Sequence, residues 1–238
     1  MAGKLREYWR HPYAWPATLL AAFAVLWTVL AIAPRYRQDW LLENVCVFVA
    51  LPVFAATIRR LRFSNMAYAL LFVFLCLHEV GAHYTYAEVP YDEAVRALTG
   101  HSLNGLLGVQ RNHYDRLVHF LYGLLLLPLA AELFCARAPP HGVWAFLLPV
   151  LFIESNSALF ELIEWLAAVV FGGALGQAYL GTQGDIWDAQ WDMVLALFGA
   201  ALTQSLRMLM RPAPPGAPSR LRNRHAPGQT GARAAASG

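Results

Sequence analysis

Acidic residues and histidines recur at helical spacing along an otherwise apolar chain. In "HEVGAHY", Glu79 and His83 stand four residues apart and share one face of a helix. In "NHYDRLVHFLY", Asp115, His119 and Tyr122 form a single stripe, and "ESNSALFELIEW" aligns Glu154, Ser157, Glu161 and Glu164. In "GDIWDAQWDM", Asp185, Asp188 and Asp192 fall within roughly 60° of one another if the segment is helical, at about 100° per residue. Mixed imidazole and carboxylate groups suit a divalent ion such as Zn²⁺, Mn²⁺ or Fe²⁺, and a surplus of carboxylates could hold two. The expected ligands are Glu79, His83, Asp115, His119, Glu161, Asp188 and Asp192, with Glu164 and Asp185 behind them as supporting groups or general base. A metal held there would activate water against a lipid-like substrate reaching it from the outer leaflet. The Glu79/His83 pair is not the H-E-x-x-H zinc motif, because one extra residue moves His83 off the face of His78.

The elements that must position these groups are set by composition. Of 238 residues, 58% are hydrophobic and only 14% charged, and the mean hydropathy is positive. That is too apolar for a soluble domain of this size and points to an integral membrane protein. Runs of about 20 apolar residues predict six spans, at 14–33, 41–58, 66–87, 117–134, 143–171 and 191–208. The fifth is longer than a straight span requires, so it must tilt, kink near Pro149 or extend beyond the hydrocarbon.

Lys4, Arg6 and Arg10, then Arg59, Arg60 and Arg62, then Arg137, Arg207, Arg211 and the tail arginines fall on one side. The positive-inside rule makes that side cytoplasmic and both termini with it. The same topology sends nearly all the acidic residues and most histidines to the outer loops or the outer halves of the spans. A charge deep in a helix span costs on the order of 2.5 to 3.5 kcal/mol, so the polar faces must turn toward each other and not toward lipid. The expected fold is all-α, a polytopic membrane helix bundle of about six transmembrane helices around one outward-facing polar pocket. A membrane domain fills 1–211, and residues 212–238, rich in Pro, Gly, Ala and Arg, form a disordered basic tail.

The first span reads as a retained anchor, because its apolar stretch exceeds a signal h-region and Pro34 directly follows Ala31-Ile32-Ala33. Cys46, Cys76 and Cys135 all lie in apolar runs and read as buried packing residues. The outer loop around Ala94, Ala97 and Leu98 predicts a short amphipathic helix.

Four segments, "HEVGAHYTYAEVPYD", "NHYDRLVHFLYG", "ELIEW" and "GTQGDIWDAQWDM", occur in this order, and together they resemble the YjdF-like family of bacterial inner-membrane proteins. The resemblance runs over roughly residues 10 to 210 and implies a multi-pass protein of the bacterial inner membrane. It implies no activity and no site residue.

Three readings fit the pocket. A metal site with hydrolytic chemistry is the sharpest. A small proton- or cation-linked transporter is the second, since carboxylate and histidine chains also relay protons; against it, no repeat or paired broken helix is visible. In the third, pairs such as Asp115 with His119 simply lock helices together, and the tryptophans form an interfacial belt. The chain carries no Gly-rich phosphate loop and no Gly-x-Ser-x-Gly elbow, its expected partner is the lipid bilayer and not nucleic acid, and an oligomeric state does not follow from it.

Overall fold

The computed structural model describes residues 11–210, apart from the side chains of Ala174, Leu175 and Ala178. The N-terminal Lys4, Arg6 and Arg10 and the expected tail at 212–238 lie outside the described residues. Every regular element among the described residues is helical: α1 (Ala14–Leu30), α2 (Arg37–Thr57), α3 (Asn65–Tyr84), α4 (Tyr91–Thr99), α5 (Leu103–Leu107), α6 (Tyr114–Arg137), α7 (Trp144–Phe171), α8 (Gly173–Leu180) and α9 (Asp188–Leu209). α2, α3, α6, α7 and α9 are long and apolar enough to cross a membrane. α1 is equally apolar at 17 residues, the short end of the spanning range. The six helices match the six apolar runs, and α2, α6 and α9 begin about a turn earlier because a polar first turn precedes the run, as in Arg37-Gln38-Asp39-Trp40.

α7 extends through 28 residues, about 42 Å at 1.5 Å per residue, with Pro149 inside its first turns and no break in the helix. The long fifth run is therefore one continuous helix and not a broken one. α9 begins at Asp188, so Asp185 lies before the helix and not on its stripe. Its side chain instead accepts the Trp187 backbone N–H at 3.0 Å. The loop helix expected near Ala94 is α4, but it buries no residue and leaves Leu98 exposed. Cys46 and Cys76 are half-buried and Cys135 is exposed, a looser placement than buried packing.

The bundle is organised around α6 and α9, which run parallel in close contact. Glycine makes that possible. A Cβ on Gly199 would collide with the backbone carbonyl of Phe120, and one on Gly123 with that of Ala196. Small residues at such crossings let backbones approach where lipid supplies no hydrophobic drive. Thr203 donates across the same seam to the Leu124 carbonyl at 2.9 Å. α7 packs against both helices, and Leu127, Ala130, Val150, Ile153 and Ala200 form the buried core there. α3 packs on the other side of α6, with α1 beyond it. Outward faces such as Leu159, Leu162, Leu166 and Val169 of α7 stay exposed, as a lipid-facing surface requires.

At the basic end, Ser64 caps α3 by accepting the Ala67 N–H at 3.1 Å, and Glu132 of α6 accepts from both the Ser64 backbone N–H and its hydroxyl. Arg137 donates to the Arg60 carbonyl at 3.0 Å nearby.

Candidate functional site

The parallel α6/α9 pair carries its polar residues into register one to two turns from the glycine crossing. Asp115 and His119 on α6 and Asp192 on α9 offer ligand atoms that all lie within 4.8 Å of one another. A zinc-like ion held tetrahedrally at about 2.0–2.2 Å sets its ligand atoms about 3.3–3.6 Å apart, so closure would draw the three groups together by as much as about 1.5 Å. His119 Nε2 is 3.6 Å from Asp115 Oδ1 and 3.5 Å from Glu161 Oε1 of α7. These separations are too long for strong hydrogen bonds.

Several oxygens here have no partner. Asp192 is 2% exposed and Asp188 3%, yet Asp192 Oδ1, Asp188 Oδ2 and Glu161 Oε1 accept no hydrogen bond. Buried oxygens of this kind require a proton, a water or a cation. Glu164 lies one turn beyond Glu161 on α7 and is also buried. Three elements therefore bring Asp115, His119, Glu161, Glu164, Asp188 and Asp192 near one another.

Two arginines close the rim of this group. Arg111, in the loop before α6, pairs with Asp185 at 3.3 Å and Asp188 at 2.7 Å. Arg116, in the first turn of α6, pairs with the same two carboxylates at 2.5 and 3.3 Å. The Trp187 backbone N–H, and after it Arg116, hold the Asp185 carboxyl below its usual range. Burial, and then Arg116 and Arg111, hold His113 beside them below the usual imidazole range.

Two expected ligands stand elsewhere. His83 Nδ1 is 2.7 Å from the Leu30 carbonyl, and the histidine lines a separate pocket with Ala33, Arg35, Tyr84, Glu88 and Pro90. It joins α3 to α1 and is not brought to Asp115, His119 and Asp192. Glu79 is fully buried beside Asn44 of α2, with both carboxylate oxygens unpartnered. There it belongs to a second acidic group with Asp39 and Glu43 of α2, whose Asp39 oxygens are also unpartnered. Asn44 itself is satisfied, accepting from Trp27 Nε1 at 2.6 Å and donating to the Trp40 carbonyl at 2.9 Å.

Asp39 escapes sequence reasoning because it precedes the apolar run, although its i, i+4 relation to Glu43 is a readable signal. The roles of Arg111 and Arg116 escape it because their partners are some 70 residues away in the chain.

Beneath the polar pocket lies an apolar cavity of about 320 Å³. Its walls include Ala50, Phe54, Leu71, Leu75, Leu126 and Leu129, and its polar end is made by His78, Tyr86, Asp115, His119 and Ser157. His78 Nδ1 lies 2.5 Å from the Tyr86 hydroxyl, which fixes that end. Tyr86 folds back over Gly81, where a Cβ would sit 2.6 Å from the phenol ring. From Asp115 to Leu129 the cavity follows α6 for about 21 Å, more than the ~15 Å of one hydrocarbon leaflet.

Comparison with known proteins bears on the chain as a whole. The family model described as "Predicted membrane protein (DUF2238)" matches residues 15–212. The Inner membrane protein YjdF of Escherichia coli (strain K12) is 38% identical over 174 residues, covering 72% of this chain and 78% of that protein. No solved structure matches.

Proposed function

Since this chain belongs to the DUF2238 family of predicted membrane proteins and is a multi-pass protein of the inner membrane, we propose that its polar pocket binds a divalent cation and acts on the head of a lipid-like molecule. Asp115, His119 and Asp192 would hold the cation, with Glu161 as the fourth donor. The observation that carries this reading is the convergence of these groups, with unpartnered buried oxygens, where Asp115 and His119 also line the polar end of an apolar cavity. Zn²⁺, Mn²⁺ and Fe²⁺ all accept such a donor set, and each lowers the pKa of a bound water.

The reaction class that fits is hydrolysis of an ester. Glu164, buried one turn beyond Glu161, would take the proton as water adds to the ester's electrophilic centre and return it to the departing alcohol oxygen as the ester bond breaks. Asp185, bound by two arginines and a backbone N–H, serves to position Arg111 and Arg116 and is not free to act as base. The excess of arginine at the opposite end orients this pocket toward the outer face.

The test is elemental analysis of purified protein after loosely bound ions are washed away. Wild type and His83→Ala should retain a stoichiometric transition metal, while Asp192→Asn and His119→Ala lose it with unchanged elution as folded protein. Metal-free wild type, even after incubation with Zn²⁺, Mn²⁺ or Fe²⁺, would sink the reading. Lipid-ester hydrolysis by the loaded protein, absent in Glu164→Gln, then tests the reaction class.

One observation favours a second reading, proton-linked transport. Glu43 is within electrostatic reach of Asp39 and Glu79 and also of Asp115 and Glu161, so it stands between the two acidic groups in charge coupling. Proton flux into liposomes that Glu43→Gln abolishes would support it. Proton-tight liposomes would exclude it.

A further inference from the structure

Arg111 and Arg116 are more than partners for Asp185 and Asp188, and we propose that they recognise a phosphate ester on a single-chain amphiphile whose tail fills the apolar cavity. The inference rests on the proposed cation and lipid-like ligand and names the ligand's head group.

The argument begins with the guanidinium groups. Both side chains are only one-sixth exposed, at 16% and 17%, so each is largely withdrawn from water. Neither Nε has a hydrogen-bond partner, although both atoms are buried. Arg116 makes its carboxylate contacts through Nη2 alone, and its guanidinium lies 5.8 Å from the centre of the Trp191 ring. Each arginine thus keeps donor capacity beyond its ion pairs, and Arg116 is held in place by an aromatic face. A buried guanidinium with spare N–H groups is suited to an oxyanion, because its planar fork bonds two oxygens at once.

Charge decides when an anion can enter. Against Arg111 and Arg116 the pocket sets Asp185 and Asp188, with Asp115, Asp192 and Glu161 behind them. Those last three carboxylates repel an anion until a divalent cation occupies them. With the cation in place that repulsion is offset, and three groups able to bond an oxyanion converge from three directions: the spare N–H donors of Arg111 in the loop before α6, those of Arg116 in its first turn, and the ion at the Asp115/His119/Asp192 centre. A carboxylate head has two oxygens to offer. A phosphate monoester has three, one for each of these groups, and so fits this arrangement better.

The cavity fixes the rest of the molecule. Asp115 and His119 belong both to its polar end and to the cation centre, so a tail lying along α6 would bring its head to that centre, and Arg116 follows Asp115 directly in the first turn of α6. Walls contributed by α2, α3, α6 and α7 leave a space of about 320 Å³, which suits a single alkyl tail.

The experiment is native mass spectrometry of the full-length protein released from detergent micelles, loaded with Mn²⁺ and offered dodecyl phosphate, dodecanoate or inorganic phosphate. Wild type should retain one dodecyl phosphate at least about tenfold better than dodecanoate, and Arg111→Gln and Arg116→Gln should each remove about a tenfold share of that preference. Arg111→Lys, which keeps a charge beside Asp188, guards against simple misfolding and should bind with intermediate affinity.

Equal retention of dodecyl phosphate and dodecanoate, or undiminished preference in both glutamine variants, would overturn the proposal. Inorganic phosphate held as tightly as dodecyl phosphate would overturn the amphiphile and leave free phosphate as the ligand. Metal content measured on the same samples separates this result from the cation reading: arginine-dependent retention that persists in metal-free Asp192→Asn would refute the cation and support the arginine site.

Discussion

Gly199 of α9 lies directly against the backbone carbonyl of Phe120 in α6, next to His119 and about two turns along α9 from Asp192. The crossing and the pocket are therefore one construction, since the separation of α6 and α9 at Gly199 sets the separation of their polar residues. Gly199→Leu should force the helices apart, destabilise the fold by roughly 1–3 kcal/mol, and disperse the Asp115/His119/Asp192 group without touching it. Thermal unfolding in detergent together with metal content checks both effects. A variant as stable as wild type that keeps its metal would show that the crossing does not set the site.

The network at the outer rim should be acid-sensitive. Asp185 titrates below its ordinary value of 3.8, through the Trp187 N–H and then Arg116. A carboxyl with a depressed pKa contributes stability that is complete above its unfolded value and is lost as pH falls through the folded one. Unfolding temperature should therefore hold steady with respect to this group from pH 7 to about pH 5 and decline below about pH 4, where Asp185 protonates and releases Arg111 and Arg116. Asp185→Asn should remove part of that decline. Identical acid profiles for the two proteins would show that the pairs contribute nothing.

At the opposite end, the bonds from Ser64 to Glu132 tie the α2–α3 loop to α6 and cap α3 at the same time. Ser64→Ala should cost about 1 kcal/mol, the usual effect of losing an N-cap side chain. Because Glu132 loses one of its two bonds in that variant, Ser64→Ala and Glu132→Ala should be non-additive by about 0.5 kcal/mol or more in a double-mutant cycle. Strict additivity would mean that the two residues act independently.

The spans were legible because a bilayer demands long apolar runs, and the stripes on α6, α7 and α9 because unpaired charge must turn away from lipid. What was hidden follows from the same physics. Asp39 sits in a polar first turn that hydropathy assigns to a loop, yet it is fully buried in α2. Glu79 and His83 share a helical face in sequence, but near the end of α3 that face is divided between two neighbours: Glu79 meets α2 and His83 meets the last carbonyl of α1. Periodicity gives the direction of a side chain on its own helix and not which helix stands opposite. Asp185 stands off the stripe because α9 starts three residues later, after the positive-φ Gly181–Gly184 stretch and a further turn at 186–187.

A cation that binds only the folded pocket must stabilise it by mass action. At a free concentration 100 times its Kd, the expected gain is about 2.7 kcal/mol. For a chain of this size that corresponds to a rise of roughly 5–11 °C in unfolding temperature. Chelation should reverse it fully, and the rise should be absent in Asp192→Asn, which keeps the shape of the side chain but loses one of the oxygens now without a partner. His83→Ala provides the contrast, since its ring is committed to the Leu30 carbonyl between α1 and α3. That variant should unfold at a lower temperature and yet shift by the same interval on adding the ion. Equal shifts in all three proteins would place the ion outside the Asp115/His119/Asp192 group, and a shift lost only in His83→Ala would move the site to the α1/α3 interface.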